Sequence, residues 1–185
     1  KGAIDKYAGV AAEGVPPPQH ILDEIDSRVK AAKDPTVSAH YGVMLGKLTI
    51  TQQMGKAPPQ GAREFADSMM EDAVAAGATP ERMAIVKHAE KVAESIEKHV
   101  TENPVGWASR NKIEVPLADG PPPDHPAGQP WKMPTAPAQA KRIDFGAEDI
   151  DGQLDERFSL AKGVARYYGK PFVGFTPAER TGLQN

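Results

Sequence analysis

Five histidines, His20, His40, His88, His99 and His125, are the side chains here best suited to acid–base or metal chemistry near neutral pH. Their spacing gives them little company. His88 and His99 fall on nearly the same face of a helix-patterned segment but about 16 Å apart along it, too far to share one ion. A zinc protease needs histidines four apart with a glutamate beside the first, and that motif does not occur. Each histidine is therefore read as a surface or boundary side chain.

The carboxylates lead to the same place. Glu64, Asp67 and Glu71 share one helical stripe and Glu90, Glu94 and Glu97 another, but a di-iron bundle also needs two Glu-x-x-His pairs, and the chain holds none. These stripes read as solvated faces, and Glu94 with Lys98 as an i, i+4 pair worth about 0.3 kcal/mol. Asp149-Ile150-Asp151-Gly152 looks like a calcium loop only superficially, because the alternating oxygen ligands and the later glutamate are missing. There is no glycine-rich phosphate loop and no Gly-x-Ser-x-Gly. The absence of cysteine removes disulfides, thiolate metal sites and cysteine nucleophiles together. Met44, Met54, Met69, Met70 and Met83 fall on or near apolar stripes and read as core filling. No catalytic residue, cofactor or metal ligand is assigned.

What would position such residues is set by proline. Nine of the 18 prolines lie between Pro104 and Pro137. They separate a helix-patterned first half from a shorter helical piece. A run such as Gly120-Pro121-Pro122-Pro123-Asp124-His125-Pro126 lacks the backbone donors for a helix or a central strand and is expected to be extended. The chain is accordingly divided into a flexible or extended N-terminal arm (1–17), a four-helix antiparallel bundle (18–103), a proline-rich extended arm (104–142), and a C-terminal helix with an extended tail (143–185). The fold class is mainly α.

Within the bundle segment, Ile21, Leu22, Ile25, Val29 and Ala32 give a first stripe, ended at Asp34-Pro35. Asp34 or Thr36 caps the next helix, whose seam is Val37, Tyr41, Met44 and Leu48. Gly42 and Gly46 form a notch beside it, read as close helix packing with a ligand or partner site as the alternative. Residues 47–51 alternate apolar with polar, so a short strand competes with helix there. Ala62, Phe65, Ala66, Met69, Met70 and Ala73 form a third stripe ending at Gly77. Thr79-Pro80-Glu81 is a strong helix start, with a capping hydroxyl, proline at the first position and a carboxylate for the dipole. That fourth helix runs to about Glu102, and Asn103-Pro104 ends it. Ile113-Glu114-Val115 reads as an edge strand for a partner. A last helix near Gln153 to Tyr168 carries Leu154, Phe158, Ala161, Val164, Ala165 and Tyr168, stopped by Gly169.

Aromatic side chains in the irregular segments are the candidate partner-binding residues: Trp107, Trp131, Phe172 and Phe175. A tryptophan in a polar, proline-rich stretch is expected to dock rather than stay exposed. The net charge is −3, with basic and acidic residues interleaved, which argues against general nucleic-acid binding. No apolar run approaches the roughly 20 residues of a membrane span. A soluble chain, cytoplasmic or virion-associated, is expected, and Lys1 at the start leaves a processed N-terminus open. Together these features point to a non-enzymatic structural or assembly subunit that docks extended arms on neighbouring subunits, such as a capsid-associated or head–tail component of a virion. The alternative is an accessory subunit wrapping the catalytic partner of a multicomponent enzyme. A third reading is a stand-alone bundle holding an apolar ligand beside Gly42 and Gly46.

Overall fold

The computed structural model describes residues 7, 9–116, 126, 130, 132–139, 143–144, 148–171 and 174–175. It is mainly helical, with one small two-stranded sheet. Residues 9–12 are helical, and the helices described from end to end are α1 (Gln19–Ala31), α2 (Pro35–Met54), α3 (Pro59–Ala75), α4 (Pro80–Glu102), α5 (Pro104–Arg110) and α6 (Ile150–Tyr168). Strands β1 (Glu114–Pro116) and β2 (Thr135–Pro137) complete the regular elements. The chain divides into two compact units, Lys1–Lys98 and His99–Asn185.

Local chemistry explains most helix starts. Asp34 Oδ1 accepts from the backbone N–H of Thr36 at 2.8 Å and Val37 at 3.4 Å, with Pro35 as the first helical residue. Thr79 Oγ1 accepts from Arg82 N at 3.3 Å ahead of Pro80 in the same way. At the other end of α3, Gly77 has a positive φ of 80°, and the Arg82 guanidinium donates to the carbonyls of Ala76 and Gly77. Helix wins over strand at residues 47–51, because α2 continues unbroken to Met54.

In the first unit, α1 packs on α2. Ile21, Leu22 and Ile25 meet Leu48, with Tyr41, Met44 and Leu45 at the margin. The buried face of α4 carries Val86, Ala89, Val92, Ala93 and Ile96, and that of α3 carries Ala62, Ala66 and Ala73. Two seam residues depart from expectation. Val37 is 43% exposed and Phe65 36%. Their helices bury neighbouring positions instead, so the apolar stripe is wider than the surface that covers it.

The N-terminal arm needs correction over the part described. Ala11, Gly14 and Pro17 are buried, and the segment is fastened by its carbonyls. Thr51 Oγ1 contacts Ala11 O at 3.2 Å, and Ser95 Oγ donates to Glu13 O at 2.9 Å. Pro16 lies so close to Gly55 that a Cβ there would meet it. A strap with its carbonyls satisfied and its small side chains buried is part of the unit's core.

The second unit corrects the arm from its first residue. Pro104–Arg110 is a helix: Asn103 Oδ1 accepts from Gly106 N at 2.9 Å and Pro104 takes the first helical position. The proline expected to end one helix starts the next. β1 and β2 then pair antiparallel, Val115 opposite Ala136, so the strand expected to wait for a partner finds one within its own chain. Both strands contain proline, as edge strands tolerate. β1 lies against α6, where a Cβ on Gly163 would stand 2.7 Å from the Pro116 carbonyl oxygen. Only glycine permits that approach. α6 starts at Asp149, which caps Gly152 N at 3.1 Å, and ends at Gly169 with φ 60°.

Candidate functional site

The α2 positions 40, 44, 47, 48 and 51 recur at helical spacing and form one stripe. With His88 of α4, the residues His40, Val43, Met44, Lys47 and Leu48 line a cleft of about 170 Å³ in the first unit. The notch beside it is divided. Gly46 is packed, since a Cβ there would lie 2.8 Å from Ile85 Cδ1 of α4, whereas the corresponding space at Gly42 is open.

His88 is the residue whose setting most departs from the sequence reading. It is only 7% exposed, not a surface or boundary side chain, and its Nε2 lies 2.8 Å from Thr51 Oγ1. The Thr51 hydroxyl also contacts the carbonyls of Ala11 at 3.2 Å and Lys47 at 3.1 Å. A hydroxyl has one proton to give, so these contacts are best satisfied when His88 Nε2–H donates to Oγ1 and Thr51 donates to a carbonyl. Burial lowers the His88 pKa to about 4, with the Lys47 ammonium acting in the same direction. The imidazole is neutral at pH 7. A signal for its burial was present: His88 precedes Val92 by four residues and Ile96 by eight, on the apolar face.

A hydroxyl beside an imidazole has the form of a nucleophile and its base. Thr51 is fully buried and its hydroxyl is engaged with backbone carbonyls, so no substrate atom can approach Oγ1. The pair holds the N-terminal strap to α2 and α4.

The expected partner anchors are scattered. Trp107, in α5 and not in an irregular segment, is 2% exposed and stacked on His99, the ring centroids 4.8 Å apart and the planes at 8°. Its surface is already covered. Phe175 is half-buried, edge-on to Phe158 of α6 at 5.5 Å. Trp131 and Phe172 lie outside the described residues. The signal for Trp107 was Asn103-Pro104 itself, the same cap-and-proline pair as Asp34-Pro35 and Thr79-Pro80.

The second unit has its own cleft, of about 200 Å³, lined by Gln139, Ile143, Gln153, Glu156, Arg157 and Leu160. Arg157 is buried on α6, and its Nε donates to Gly174 O at 3.3 Å. Trp107 Nε1, Asn111 Oδ1 and the Tyr168 hydroxyl are buried with no hydrogen-bond partner among the described residues. Burial pushes the Tyr168 phenol well above its ordinary range.

In the first unit a third, more open cleft of about 300 Å³ runs between α3 and α4. Met69, Ala73, Ala76, Ile85 and Val86 supply its apolar wall, with Asp72 and Arg82 also lining it. Phe65 stands on the same face of α3, four residues before Met69 and eleven before Ala76.

No set of three or more acidic, histidine or cysteine side chains positioned for a metal ion occurs among the described residues. Asp149-Ile150-Asp151-Gly152, whose likeness to a calcium loop is superficial, forms a helix cap and first turn. No helix among the described residues is long and apolar enough to cross a membrane. Comparison with protein families, with curated proteins and with solved structures gives no match.

Proposed function

We propose that this chain is a non-enzymatic structural or assembly subunit, a helical body that docks on neighbouring protein subunits of a larger complex. The observation that carries the reading is the α3–α4 face. Phe65 is 36% exposed in line with an open apolar cleft, where a monomer would ordinarily place polar side chains. Such a face suits an apolar segment of a neighbouring subunit lying along the helix pair. The proline-rich stretch and the C-terminal tail extend the same logic, with Trp131 and Phe172 as further anchors. Trp107, enclosed on His99, is assigned to the chain's own core. A virion component, capsid-associated or head–tail, is the finer form of this reading; it rests on the lack of a catalytic constellation and on the length of the proline-rich segment.

Phe65→Ser tests it. The variant should stay folded with only a modest drop in melting temperature, because the side chain is 36% exposed, and should lose incorporation into the native assembly when co-expressed with it. Wild-type incorporation of Phe65→Ser would overturn the α3–α4 face as the docking surface.

A further inference from the structure

We propose that the cleft between α2 and α4 in the first unit binds a small aliphatic carboxylate, its charged end on Lys47 and His40 and its hydrocarbon end over Val43, Met44 and Leu48. This goes beyond the assembly reading and does not depend on it.

The lining is amphipathic in one direction. Val43, Met44 and Leu48 supply an apolar floor, while Lys47 brings a fixed positive charge and His40 and His88 bring imidazoles. The charged groups that act on His88 from the elements around it are cations, Lys47 of α2 and Lys91 of its own helix. The other groups packed on it, the Thr51 hydroxyl and the Lys47 carbonyl, are neutral. A cleft with positive potential and an apolar floor favours a ligand that is anionic at one end and apolar at the other. Size narrows the class further. At about 170 Å³ the space is below the ~300–1,000 Å³ typical of drug-sized ligands. It suits a fragment such as a short-chain fatty acid.

His88 makes the site self-reporting. Its neutral state is enforced by burial and by the neighbouring ammonium. A carboxylate beside Lys47 would offset that ammonium and raise the imidazole's affinity for a proton.

The experiment uses the full chain and sodium butyrate, with n-butanol as the uncharged control and ionic strength held constant. Histidine ring resonances are followed by NMR through a butyrate titration and through pH. Saturable movement of the His88 signals is expected, together with an upward shift of its titration midpoint, while butanol at equal concentration binds at least about tenfold more weakly. Lys47→Met should weaken butyrate binding about tenfold or more, and Lys47→Arg should retain it. Equal binding of butanol, butyrate affinity unchanged in a folded Lys47→Met variant, or His88 signals that fail to saturate below molar butyrate would each overturn the proposal.

Discussion

At the residue scale, two side chains show how burial changes what a residue type can do. His88 titrates near pH 6.5 in an unfolded chain but only at about 4 in the folded one. The unfolded state therefore binds more protons between those values, and stability must rise with pH across the interval. The contribution is complete above about pH 6.5 and is lost as pH falls towards 4. Thermal melts of the wild type should show that slope, and His88→Gln should flatten it; an identical slope in the variant would assign the effect to other groups. Trp107 gives the second case. Stacked on His99 and almost fully covered, its replacement by Ala should cost roughly 3–5 kcal/mol in chemical denaturation, as truncations of buried aromatics do. A loss below ~1 kcal/mol would return Trp107 to the partner-binding role first expected of it.

At the element scale, the long helices were legible, and the short α5 and the strand pairing were not. Asp34-Pro35 and Thr79-Pro80 carry their own capping chemistry within a few residues, so the starts of α2 and α4 follow from local sequence. Asn103-Pro104 carries the same chemistry, so one dipeptide both ends α4 and begins α5. The pairing of β1 with β2 joins residues 21 apart across a proline-rich stretch, and no local pattern specifies such a partner. Gly163 depends on that pairing. Within α6 it looks like a weak helix residue, and its role appears only when β1 is laid against it, the Pro116 carbonyl where a Cβ would stand. Gly163→Ala should therefore destabilise the second unit despite alanine's higher helix propensity, by about 1–3 kcal/mol. A stabilised variant would show that the β1–α6 approach relaxes freely.

At the scale of the whole molecule, parts of the segments expected to be arms are built into the units, at Ala11–Gly14, Pro104–Pro116 and Ala138. Gly14 N donates to Ala11 O at 2.9 Å, Asn111 N to Trp107 O at 3.1 Å, and Ala138 N to Ile113 O at 2.7 Å. Hydrogen exchange on the purified chain should find these three amides protected without any partner. Free exchange at Asn111 and Ala138 would return those two positions to the extended arm first expected over 104–142. The sequence by itself determined the long helices α1–α4 and α6, the caps at Asp34 and Thr79 and the mainly α class, because a 3.6-residue period and a cap are interactions among near neighbours. It also determined the absence of thiol chemistry. Tertiary structure alone decided which candidates met: Thr51 with His88, the strap at Ala11 with α2, Trp107 with His99, and β1 with β2. Most of those contacts join residues far apart in the chain, and the energies of all depend on burial and mutual geometry, quantities that composition and periodicity do not contain.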